Sequence, residues 1–147
     1  MGRTALGEVP HDGCAVILPN WLRVVLAIVG GFIAWFAVAT VGNIVIRWLL
    51  PDYAQVEKAM DFSLVMLLAR LVLGAVASLA AGAACVAVGR SSRLAVYLFS
   101  TLLLALFIPV HVNLWAKFPL WYHAIFLGSL IPFVVLGARL FGLSARR

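Results

Sequence analysis

Few side chains in this sequence have chemistry to offer. Asn43, Arg70, His111, Asn113 and His123 lie inside or at the ends of long apolar runs, framed by Trp48, Trp115, Lys117, Trp121 and Tyr122. An arginine in such a setting can grip an anion through its planar fork of donors. Histidines can exchange protons, bind a metal or ligate a haem axially. His111 and His123 each lie six residues from Lys117, so a hairpin turn there brings them to similar depth. No carboxylate or thiolate accompanies them to complete a metal shell. The plainer expectation is therefore that both rings hydrogen-bond backbone or interfacial water, with no metal site and no cofactor. A bis-histidine haem or metal redox protein stands as a third functional reading.

Catalysis finds no foothold. Ser78, Ser100 and Ser129 lack a base on any recognisable motif, and the only positive group near Cys85 along the chain is Arg90. No catalytic residue is assigned, and the protein is expected not to be an enzyme. All 5 acidic residues fall outside the apolar runs. Because carboxylates within a membrane are the usual carriers of proton or cation coupling, their absence disfavours cation-coupled export and leaves contact with anions open.

The elements that must position these groups follow from hydropathy. Of the residues, 65% are hydrophobic and 11% charged, with a mean hydropathy of +1.13. A soluble domain is roughly 45–50% apolar and 25% charged, so a water-soluble fold could not hide this much apolar surface. A hydrocarbon core about 30 Å thick takes roughly 20 residues of helix. Runs of that order cover residues 24–46, 62–89 (with Arg70 interrupting), 94–116 and 118–138. They lack the alternation of barrel strands, and backbone in lipid must satisfy itself internally, so each is read as a helix. The fold class is an all-α integral membrane protein, a four-transmembrane-helix bundle forming a single membrane domain over residues 1–147.

Proline marks several boundaries. Pro51 closes the first span and Pro119 stands near the start of the fourth, while Pro109 and Pro132 fall inside helices and should kink them. Residues 52–61 set Tyr53, Val56 and Met60 on one face against Glu57 and Lys58, which predicts a short interfacial helix. The last two spans meet at Lys117 and Phe118, a tight turn. Gly74, Ser78 and Gly82, four apart, make a close-packing face beside Ala77, Ala81 and Cys85. Such a face serves either a central helix of the monomer or a dimer interface.

Orientation follows from basic residues in short loops. With both termini in the cytoplasm, Arg3, Arg23, Arg90, Arg93, Arg139, Arg146 and Arg147 lie inside, against Arg47, Lys58 and Lys117 outside. Residues 1–20 are then a cytoplasmic tail, and Cys14 and Cys85 lie on the reducing side, so no disulfide is expected. Residues 37–39 resemble a cleavage site, but the apolar run continues through Ile46, so the first span is read as an uncleaved signal anchor. Counting 20 residues back from Val88 puts the outer hydrocarbon edge near Ala69. Arg70 is thus expected to snorkel to the headgroups, where lysine would replace it silently.

The expected setting is the cell inner (plasma) membrane. The net charge of +6 sits between and beside the spans, where membrane orientation explains it without a nucleic-acid partner. The expected partners are the lipid bilayer and either a second copy of the chain or another membrane protein. The first span lacks the glutamate of small multidrug transporters, and the pore motifs of fluoride channels and the polar motif of membrane-bound glutathione transferases are also missing. The leading functional expectation is a non-enzymatic accessory or scaffold protein or a self-associating bundle. Its alternative is a transporter or channel for a small anionic or neutral solute that uses Arg70 and the polar groups around it.

Overall fold

A computed structural model describes residues 19–89 and 92–144. Cys14, Arg3, Arg90, Arg146 and Arg147 lie outside the described residues, and so does most of the expected cytoplasmic tail. The described chain is all helical: α1 (Asn20–Leu49), α2 (Tyr53–Glu57), α3 (Leu64–Gly89), α4 (Arg93–Asn113) and α5 (Leu120–Ser144). Four of these, α1, α3, α4 and α5, are long and apolar enough to cross a membrane. Their outward faces carry apolar side chains such as Ile33, Val41, Val72 and Val112, a surface that lipid accepts and water does not. The chain is a multi-pass helical membrane protein.

Local chemistry sets the helix ends. Leu50 is extended because Pro51 follows it, and α1 stops one residue earlier. The Ser92 hydroxyl caps α4 by accepting from the Ala95 amide at 3.3 Å, and Ser63 does the same for Met66 at 3.4 Å. The carbonyl of Pro119 accepts from Tyr122 at the start of α5. Pro109 and Pro132 each stay within one continuous helix.

Two connections differ from the hydropathy count. The join between α4 and α5 is the segment 114–119 rather than a two-residue turn, because Trp115 and Lys117 donate to the carbonyls of Val112 and Leu114 in successive tight turns. Hydropathy cannot register this, since Leu114, Trp115 and Ala116 are apolar whether coiled or turned. The interfacial helix is also shorter than residues 52–61: α2 ends at Glu57, and Met60 takes φ 59°. That left-handed conformation is uncommon for a residue other than glycine, and it reverses the chain into α3.

The helices pack as an up-and-down bundle. α3 lies between α1 and α5, α4 touches α1 and α5 on the far side, and α1 and α5 occupy opposite corners. One end of the bundle holds α2 and is called the α2 end below; the other holds Ser92. Toward the Ser92 end, α3 and α5 meet backbone to backbone. A Cβ on Gly82 would collide with the Val134 carbonyl, and one on Gly137 with the Leu79 carbonyl. The Gly74, Ser78 and Gly82 face is thus filled within the chain: Gly74 makes room for the Phe126 ring of α5, and Ser78 bonds to Trp35 of α1. The neighbouring Ala77, Ala81 and Cys85 are fully buried.

Candidate functional site

The polar groups gather at the α2 end. Arg70 sits six residues into α3, about 9 Å along its axis. Its Nη1 donates to the Tyr53 hydroxyl at 2.7 Å, and that hydroxyl donates to Asn43 Oδ1 at 3.2 Å. The guanidinium also lies over the Phe62 ring, 4.9 Å from its centroid, a cation–π contact that a desolvated arginine strengthens. The Tyr122 hydroxyl from α5 adjoins the same group. The structure adds protein contacts that the snorkelling expectation did not include. Arg70 is half-buried and tied to α1, α2 and α5, because the turn at Pro51 folds Tyr53 back beneath the end of the bundle, where it is fully buried.

No carboxylate among the described residues lies within 4 Å of Arg70. Glu57, an acid on the cavity wall, pairs instead with Arg47 at 2.7 Å. Both line the mouth of a cavity of about 540 Å³ that Asn43, Arg70 and Tyr122 also wall. The cavity runs along α1 from Arg47 to Trp35, twelve residues or about 18 Å. An aromatic floor closes it. Trp35 stands 4.8 Å from Phe107, which stands 5.3 Å from Phe126, and the Trp35 indole donates to Ser78 at 3.3 Å. The relay leaves donors facing inward, since the Asn43 oxygen is used by Tyr53 while its amide nitrogen has no partner among the described residues. With two arginines against one glutamate, the polar end suits a ligand that is negatively charged and rich in acceptors.

His111 and His123 face each other, with Nδ1 to Nδ1 at 2.7 Å and ring planes at 81°. Trp115 stacks on His123 at 5.0 Å and Phe126 lies against His111 at 4.7 Å. The pair needs one Nδ1–H and one bare Nδ1. His123 Nε2 is buried without a partner. Assigning the proton to His123 Nδ1 makes that orphan a lone pair, which tolerates burial better than an unpaired N–H. The two rings thus bond each other through their Nδ1 atoms. An ion ligated from opposite sides by the two Nδ1 atoms would need them about 4 Å apart, twice a metal–nitrogen bond. No cluster of three potential metal ligands occurs among the described residues.

Tyr122 joins the two groups, its ring stacked 6.0 Å from His111 and its hydroxyl beside Arg70. Of the residues singled out in the sequence, Asn43 and Arg70 come together through Tyr53, and His111 and His123 pair directly. Asn113 is exposed at the end of α4 and makes no side-chain hydrogen bond to either group. Tyr53, Tyr122, Trp35 and Ser78 complete the site without having been singled out for it. The nearness of Tyr53 to Pro51 was the one available signal, since a buried hydroxyl just after a helix-ending proline must find a partner.

The three serines and the cysteine considered in the sequence each donate to a backbone carbonyl. Ser78, Ser100 and Ser129 donate to carbonyls of their own helices, Gly74, Tyr97 and Phe126, and Cys85 donates to the Ala27 carbonyl at 3.3 Å. No protein-family model, curated protein or solved structure matches the chain.

Proposed function

We propose that this chain is a non-enzymatic carrier of the cell inner membrane that binds a small anionic solute at Arg70, with both termini in the cytoplasm and the α2 end outside. The observation that supports it is an arginine held by tyrosines and a phenyl ring at the wall of a cavity, with no carboxylate among the described residues to neutralise it. A charge at the centre of a membrane helix costs about 2.5–3.5 kcal/mol on insertion scales and one nearer the end costs less, yet charges within a span usually serve function. The accessory and scaffold reading has no comparable feature of its own. The small-residue face that suggested self-association is occupied by α5 and α1. The orientation rests on the excess of arginine in the loops of the opposite end.

Ligand-induced stabilisation tests the reading. Purified protein in lipid nanodiscs should unfold at higher temperature with acetate, inorganic phosphate or hexadecanoate than with matched neutral solutes. At a hundred times Kd the gain is about 2.7 kcal/mol. Arg70→Leu should erase the gain while leaving the protein as stable as the parent or more so, because it removes a partly desolvated charge. If no anion stabilises the parent, the proposal fails.

A further inference from the structure

The cavity is divided by polarity along its length. Its α2 end presents Arg47, Arg70 and Asn43, and its deep end is made of Trp35, Phe107 and Phe126. That gradient matches a molecule of the outer leaflet, head outward and chain toward the bilayer centre. Two further wall residues, Thr40 and Ile44, are exposed on the flank of α1. Thr40 lies seven residues below Arg47, about 10 Å deeper, a depth where the surroundings of the bundle are hydrocarbon. The cavity therefore opens sideways to lipid as well as upward to water. Its size limits what lies inside it: about 540 Å³ holds roughly 18 non-hydrogen atoms at the ~30 Å³ that one water takes in the liquid. That is a carboxylate with one long chain, and a two-chain phospholipid is far larger.

We infer that the ligand of this cavity is a single-chain anionic amphiphile of the fatty-acid class, its carboxylate on Arg70 and its chain running down to Trp35, admitted sideways along α1 from the outer leaflet. This rests on the anion-binding reading and names the substrate class for it. A carboxylate takes two parallel bonds from the guanidinium fork, and the free amide of Asn43 supplies a further donor. Lipid tails surround the chain wherever it lies, so the cavity gains little from apolarity alone. The charge on Arg70 selects the ligand, and the shape of the deep end selects one chain.

Photocrosslinking tests the placement. Full-length protein in nanodiscs with excess lipid is irradiated with hexadecanoate carrying a diazirine near the middle of its chain, which matches the eight residues, or about 12 Å, from Asn43 down to Trp35, and adducts are mapped by mass spectrometry. The expected adducts fall on Trp35, Ala39 and Phe107. They should drop at least tenfold in Arg70→Leu and be competed by unlabelled hexadecanoate but not by hexadecanol. Ala39→Leu, which narrows the deep end without touching Arg70, should cut the same adducts and keeps the test sound if Arg70→Leu folds poorly. Adducts scattered over lipid-facing residues such as Val41, Val72 and Val112, and indifferent to both substitutions, would overturn the inference. So would equal competition by dihexadecanoyl phosphatidylglycerol, which would assign the cavity to a two-chain lipid. If placement fails while acetate or phosphate still stabilises the parent through Arg70, only the amphiphile is lost. If no anion stabilises it either, the anion reading falls with it.

Discussion

The two halves of the bundle solve the same packing problem in opposite ways. Toward the Ser92 end, glycines let α3 and α5 touch backbone to backbone at Gly82 and Gly137. Toward the α2 end, rings and polar groups stand between the helices, and the space they do not fill is the cavity. Helices in lipid gain little from hiding apolar surface from water, so side-chain size and hydrogen bonding decide how closely they approach. One half is spent on close packing, which leaves the other free to carry a costly arginine and a histidine pair.

The largest effect should come from prying open the close half. Gly82→Ile puts a branched side chain against the Val134 carbonyl, which belongs to backbone and cannot swing aside. A loss of about 3 kcal/mol or more is expected, at the upper end of overpacking costs, read as a collapse of thermal stability in detergent. Gly128→Ala is the control, because a Cβ there meets nothing within 4 Å; it should change stability by less than about 1 kcal/mol. If Gly82→Ile instead yields a folded monomer from a parental dimer, the face is intermolecular and the contrast between the halves dissolves.

A middle-sized effect is expected at the histidines. His123→Phe leaves His111 Nδ1 without its partner at 2.7 Å, at a cost of about 1–3 kcal/mol. Replacing both by phenylalanine should cost less than the two single losses added together, which a double-mutant cycle in thermal or denaturant unfolding would show. Additive losses would mean that the two rings do not bond each other.

The smallest effect belongs to the cavity mouth. Arg47 and Glu57 pair at 2.7 Å, but the arginine side chain is 46% exposed. Arg47→Ala should lower stability by no more than about 1 kcal/mol, and less in high salt. A salt-independent loss well above that would show that the pair clamps α1 to α2 and belongs with the structural half.

How far the sequence foretold the site differs from residue to residue. The depth of His111 and His123 was legible from their equal spacing about Lys117. Their contact was not, because it also needs both rings to face inward. Arg70 was visible as a charge among apolar residues, but its fate turned on Tyr53, seventeen residues away and brought near only by the reversal through Met60. Asn113 looked equivalent to Asn43 and is not: one is exposed, the other bonds to Tyr53. Gly74 and Gly82 were recognisable as places of close approach, and their neighbour, α5 of the same chain, was not.

By itself the sequence determined the four long helices, their approximate ends and the end of the bundle to which each polar residue belongs. Those properties are local: apolar length sets a span, proline and serine set its limits, and a rise of about 1.5 Å per residue converts position into depth. Only the tertiary structure decided which way each helix turns about its own axis, and with that the Arg70–Tyr53–Asn43 relay, the histidine pair and the cavity. In a soluble helix an apolar stripe against polar residues reveals the inward face. Here lipid and core are both apolar, so the stripe is nearly absent, and rotation is set by glycines, rings and hydrogen bonds that take effect only when the helices meet.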